Sequence, residues 1–167
     1  MSLDNIQLPS IVIQELFKNS LVQLNAEAVI EPLSACSSFI ILGNNRRHIL
    51  IIVDGKDSMY LPDDQLNFLM GILSACKLIM EDVAVLNIRK NETATYQSLT
   101  TALHSSVIIL FAVLPEQIGL PLEIPHYQVQ QYNKQTYLLA PSLPDLAGDK
   151  REKGKLWDCL KKIFSIQ

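Results

Sequence analysis

The sequence predicts an α/β domain of three layers, with helices on both faces of a mixed, mainly parallel sheet. Three observations carry this. Short apolar runs, among them His48–Val53 and Val107–Phe111, alternate with segments of helical periodicity. The run Ile49-Leu50-Ile51-Ile52-Val53 is apolar at every position, as a strand covered on both faces must be. The chain of 167 residues is 49% hydrophobic and 19% charged, enough for one core and too apolar for a disordered protein. No linker or internal repeat divides it, so residues 1–167 are expected to form a single domain, with residues 1–25 a helical segment available to a partner.

In chain order, Pro9-Ser10 marks the start of an amphipathic helix over Ile11–Leu24. Its stripe carries Ile13, Leu16, Phe17, Leu21 and Leu24. That stripe must bury either on its own domain or in a partner's groove. Phe39–Leu42 and His48–Val53 flank Gly43-Asn44-Asn45 and are expected to pair as a hairpin. Pro62-Asp63-Asp64 opens a helix running through Leu66, Leu69, Met70, Leu73 and Cys76, its acids favoured in the first turn by the helix dipole. Val83–Leu86 is a strand, Tyr96–Leu103 a helix and Val107–Phe111 the most β-branched strand. Pro115–Pro125, with three prolines, is a long connection. Tyr127–Tyr132 and Thr136–Leu139 flank Asn133-Lys134 as a second hairpin, and a final helix is expected from about Asp149 to Phe164.

Charge and motif content narrow the function classes. The formal charge of −3 and pI near 5.6 exclude a chain that is basic throughout. No apolar run reaches the length of a membrane span and no secretory signal is visible, so a soluble, cytoplasmic protein is expected. Cys36, Cys76 and Cys159 lack disulfide or zinc spacing and read as small apolar residues. His48, His104 and His126 lie in separate elements without ligand spacing, so no metal is expected. With six glycines and neither a Walker loop nor GxGxxG, a glycine cradle for a nucleotide is not expected, and no cofactor is implied.

Ligands of open parallel sheets sit beyond the carboxyl ends of the strands. Four such ends are candidates: Asp54–Tyr60, Asn87–Lys90, Ala112–Pro115 and Ala140–Pro144. Asp54 and Asp57 are either an acid/base pair or caps of the following turn. Asn87 either reads a ligand edge or closes its own turn. Taken in order, Gly55-Lys56-Asp57-Ser58-Met59-Tyr60, Val85-Leu86-Asn87 and Ala140-Pro141-Ser142-Leu143-Pro144 resemble the three motifs of the uracil-DNA glycosylase superfamily. That resemblance spans roughly residues 48–148 and implies the fold of that superfamily. It would make Asp57, displaced by one inserted residue, the group that orients water, and Asn87 the group that reads the base. Tyr60 would be the aromatic following the loop. Ala140 stands where those enzymes carry a histidine, and alanine has no donor to stabilise a departing base.

These departures suit a second family, the psi subunits of bacterial DNA polymerase III, which resemble a glycosylase fold without its chemistry. The matching pieces are Ile11–Leu24, His48–Cys76, Leu139-Ala140-Pro141-Ser142-Leu143-Pro144-Asp145-Leu146, and the closing Lys150-Arg151 through Lys155-Leu156-Trp157-Asp158-Cys159-Leu160. This resemblance implies a non-catalytic module of the replication machinery, partnered by the clamp loader or a chi-like subunit, with direct nucleic-acid binding weak or absent. The alternative is a glycosylase-family enzyme acting on damaged bases through Asp57 and Asn87. In the module reading, Gly55, Asp57, Tyr60, Asn87, Ala140, Pro141 and Ser142 line a vestigial pocket. Partners meet Ile13, Leu16, Phe17, Leu21, Lys150, Arg151 and Lys155. The tail from Lys150 to Lys162 holds six basic and two acidic residues against eight and fifteen elsewhere. It is either a contact for an acidic partner or a solvated face, and Trp157 either packs on the core or stacks on a base.

Overall fold

The computed structural model describes residues 39–56 and 58–165. The expectations for Ile11–Leu24, for Cys36 and for Asp57 lie outside the described residues. The strands are β1 (Ile41–Leu42), β2 (Ile49–Val53), β3 (Val83–Asn87), β4 (Val107–Phe111), β5 (Val129–Tyr132) and β6 (Gln135–Ala140). The helices are α1 (Asp63–Ala75), α2 (Tyr96–Leu103), α3 (Leu143–Gly148) and α4 (Lys150–Phe164). Single 3-10 turns cover Met80–Asp82, Ile88–Lys90 and Pro115–Ile118.

The sheet order is β1-β3-β2-β4-β6-β5. Strands β3, β2, β4 and β6 are parallel, and β1 and β5 are antiparallel edges. The alternation of side chains divides the core in two. Ile49, Ile51, Val53, Val85, Ile109 and Leu138 face α1, α3 and α4. Leu50, Ile52, Ala84, Leu86, Leu110 and Tyr137 face α2 and the connection after β4, through Leu99, Val113, Ile118 and Leu120. Each fully buried Leu or Ile contributes about 1.5–3 kcal/mol, so β2, buried at all five positions, is the anchor of both layers.

Helix boundaries follow local chemistry. Asp63 and Asp64 occupy the first turn of α1 after Pro62, and Leu69 and Leu73 face inward. Met70, one of the apolar residues that mark this helix in the sequence, is 42% exposed, because it lies about 100° around the helix from Leu69. Thr95 and Ser98 form a reciprocal cap on α2, each hydroxyl accepting the other's backbone N–H, at 3.3 and 3.0 Å. The second hairpin forms as expected: β5 pairs antiparallel with β6, and Asn133 and Lys134 both take positive φ, 48° and 63°.

The first hairpin does not form. β1 pairs antiparallel with β3, which lies between it and β2. The connecting segment instead wraps the start of β3. Asn45, Arg46 and Arg47 donate their backbone N–H groups to Val83, Glu81 and Asp82 at 3.0–3.1 Å. Gly43, at φ 98°, passes so close that a Cβ would lie 2.2 Å from the Val83 carbonyl oxygen. The turn signal was real, but a chain that crosses the end of a strand needs the same glycine as one that reverses beside it. Helix α3 also departs from expectation, since Ala140–Pro144 reads as loop. Ser142 caps this helix by accepting the Asp145 N–H at 3.3 Å, and Pro144 sits in the first turn, where its missing N–H is harmless.

Candidate functional site

The strand order places a switch point between β2 and β4. From β2 the chain runs through α1 to β3 on one side, and from β4 it runs to β6 on the other. A crevice is expected beyond the carboxyl ends at such a point. A hollow of about 450 Å³ opens there, lined by Asp54 after β2, Arg89 and Lys90 after β3, and Gln117 after β4. A second hollow of about 630 Å³ lies at the opposite end of the strands, among Arg47, Lys77, Ser106 and Phe164.

Parallel register puts Asn87, Val53, Phe111 and Ala140 in one row along the carboxyl edge. At about 4.8 Å between neighbouring strands, Asn87 and Ala140 stand about 14 Å apart. Asn87 is fully buried. Its Nδ2 donates to the carbonyl oxygens of Gly55 and Ser58, at 2.8 and 2.9 Å. Its Oδ1 accepts the N–H groups of Gly55 and Arg89, at 3.2 and 3.1 Å. A carboxamide has two donors and two lone pairs, so every position is engaged. Asn87 clamps the loop after β2 to the turn after β3. Gly55 permits this, because a Cβ would lie 2.9 Å from Asn87 Nδ2 and 3.1 Å from the Tyr60 carbonyl oxygen.

Among the described residues, Asp54 is engaged by a cation. It receives Arg89 in a two-pronged pair, Nε to Oδ1 and Nη2 to Oδ2, the latter at 2.9 Å. The hydrogen bonds and charge of Asp54 hold the Arg89 proton more tightly than usual. Arg89 belongs to no sequence motif; its pairing follows from β2 and β3 being neighbours, which no local pattern states. Asn91 was missed altogether. Its Oδ1 accepts the Ile40 N–H at 2.8 Å and its Nδ2 donates to the Asn87 carbonyl at 2.9 Å, which ties the start of β1 to the same turn. Two asparagines four residues apart after an apolar run were the available signal.

The other candidates are dispersed. Tyr60, Pro141 and Ser142 are half-buried, and Ala140 is completely enclosed. Gly55 and Asn87 are brought together; Ala140, Pro141 and Ser142 lie at the β6–α3 junction, two strands from β2 and three from β3. Lys150, Arg151 and Lys155 are exposed on α4. Asp149 caps that helix by accepting the Arg151 N–H at 2.7 Å. Lys155 pairs with Glu152 at 2.7 Å, and its ammonium lies 5.5 Å from the Tyr127 ring centre. Trp157 is half-buried beside the enclosed Leu156 and Leu160.

Among the described residues no group of histidine, cysteine and carboxylate side chains has the geometry to hold a metal ion, and no helix is long and apolar enough to cross a membrane. Cys76 and Cys159 are free and buried. Burial pushes the Cys76 thiol up to about 11. The Cys159 thiol is also raised, by burial and then by Asp158, against the pull of Lys162; its sulfur lies 3.1 Å from the Tyr127 carbonyl oxygen. Neither is poised as a nucleophile. Neither a scan against protein-family models nor a search of curated proteins finds a match to this sequence.

Proposed function

We propose that the chain is a non-catalytic interaction module resembling the psi accessory subunit of the bacterial DNA polymerase III clamp-loader complex. The observation that carries this is the saturation of Asn87. In the glycosylase resemblance that carboxamide reads the base, yet here a base could be read only by breaking hydrogen bonds that hold the 54–60 loop. Exposing two carbonyls and two N–H groups to bind one ligand edge is unfavourable, since each buried unpaired group costs about 1–3 kcal/mol. Ala140 supports the same reading. It is enclosed in the core and offers no donor to a leaving base.

The partners implied are replication proteins, a clamp loader or a chi-like subunit, met through the segment bearing Ile13, Leu16, Phe17 and Leu21. The test is binding of purified full-length chain to the clamp-loader and chi-like subunits of the same genome, by calorimetry, beside a uracil-excision assay on single- and double-stranded DNA. Complex formation without excision is the expected result. Release of free uracil that is lost in Asp57→Ala would install the enzyme in its place.

A further inference from the structure

We propose that the groove between α1 and α4 is the docking site for an acidic, amphipathic helical segment of another protein. The groove encloses about 390 Å³ and is lined by Phe68, Gly71, Ile72, Lys153, Leu156 and Trp157, among others. It lies on the helical face packed over Ile51 and Val85, away from the Asn87 loop. The inference therefore goes beyond the replication reading and survives its failure.

Gly71 is the first argument. It sits mid-helix in α1, where glycine is about 1 kcal/mol worse than alanine. Its φ is not positive, and a Cβ there would meet nothing within 4 Å. No internal contact of the described residues requires a glycine. A partner backbone approaching the floor of the groove would. The lining runs along α1 from Asn67 to Ala75, about 12 Å at 1.5 Å per residue. Two turns of a helix, with apolar residues at three- and four-residue spacing, fill a furrow of that length between two helices.

Charge narrows the occupant to an acidic one. On α4, Lys155 and Lys161 are paired within the helix, to Glu152 at 2.7 Å and Asp158 at 3.6 Å. Among the described residues Lys150, Arg151, Lys153 and Lys162 have no ion-pair partner. Helical spacing aligns Lys150, Lys153, Trp157 and Lys161 along the groove side of α4. An acidic segment would find complementary charge along that rim. A second copy docked face to face would bring an equally basic α4 against it. Nucleic acid is disfavoured because ammonium groups already cover the rings on which a base would stack: Lys153 over Phe68 at 5.3 Å and Lys161 over Trp157 at 5.8 Å. The chain outside 150–162, with eight basic and fifteen acidic residues, would also repel a phosphate backbone.

The experiment places the photo-reactive amino acid p-benzoylphenylalanine at Asn67, on the rim of the groove, in the full-length chain expressed in its own cells. The cross-linked peptide is then sequenced. The expected product is a segment of another protein with a helical apolar repeat and net negative charge. Gly71→Phe, which sets a ring on the wall of the groove where a Cβ meets nothing, should keep the circular-dichroism spectrum and denaturation midpoint and lose the cross-link. With the identified segment as a synthetic peptide, emission of Trp157, the single tryptophan, should shift on binding, and Lys153→Glu should weaken affinity by about tenfold. Cross-linking to a second copy, to residues 1–38 of the same chain, to nucleic acid or to a basic segment would overturn the proposal. So would no cross-link at all, or one that persists in Gly71→Phe.

Discussion

Asn87 and Gly55 are joined in both directions: the carboxamide donates to the glycine's carbonyl at 2.8 Å and accepts its N–H at 3.2 Å, across the carboxyl ends of two neighbouring parallel strands. A side chain that pairs with both polar groups of one residue mimics a strand partner. It extends the β2–β3 ladder one step beyond Val53, and so fixes where the candidate loop leaves the sheet.

Removing that clamp should be costly. Asn87→Ala leaves two carbonyls and two N–H groups without the partner they have now, in a fully buried setting, and should destabilise the chain by about 2–4 kcal/mol. Asn87→Asp should be at least as damaging, because a carboxylate oxygen would then face the Gly55 and Ser58 carbonyls. Urea denaturation of the three proteins decides it. A loss below about 0.5 kcal/mol would mean that the side chain is free to serve a ligand.

Two glycines should respond in opposite senses to the same substitution. Gly55→Ala brings a methyl group to 2.9 Å from Asn87 Nδ2 and 3.1 Å from the Tyr60 carbonyl, and should cost about 1–3 kcal/mol. Gly71→Ala meets nothing and should stabilise by about 0.5–1 kcal/mol through helix propensity and a less flexible unfolded chain. Midpoints measured side by side test both.

Restoring the histidine of the glycosylase resemblance should not restore chemistry. Ala140 has no exposed surface, pairs in register with Phe111 and belongs to the buried cluster that holds Leu143 and Leu146. Ala140→His must therefore displace core and bury an imidazole, at about 2–4 kcal/mol. Uracil release by this variant, with its stability intact, would contradict the packing argument.

Alkaline pH should weaken the fold in stages. The Cys76 thiol stands at about 11 in the folded chain against 9.0 in its ordinary state, and burial with the nearby Tyr96 and Tyr132 lifts Tyr137 from 10.0 to about 12. Burial, then Glu152, also raises Tyr127. In each case the folded state keeps a proton that the unfolded state has released, so stability is fully present below pH 9 and falls above it, through 11 for Cys76 and 12 for Tyr137. Urea midpoints should be level from pH 7 to about 8.5. Cys76→Ala should lessen the first part of the fall; an unchanged profile would mean that the thiol does not contribute.

The sequence by itself determined the layers. β-branched runs bounded by turn residues gave β2, β3 and β4, Pro62-Asp63-Asp64 marked α1, and Asn133-Lys134 marked the β5–β6 turn. These are local signals, set by backbone propensity and by burial of the nearest side chains, and they survive whatever surrounds them. Which strand lies beside which was decided only in three dimensions. Gly43-Asn44-Asn45 serves equally a tight hairpin and a crossing at the start of β3, and the crossing is held by contacts that local sequence does not state: Gly43 against the Val83 carbonyl and residues 45–47 bonded to residues 81–83. The candidate site shows the same division. Asn87 was legible as a strand-end asparagine, but its partners Gly55 and Ser58 lie 32 and 29 residues away, and Asp54 finds Arg89 across 35. Hydrogen bonds act within about 3 Å of space, regardless of separation along the chain, so the roles of these side chains followed from the register of the sheet.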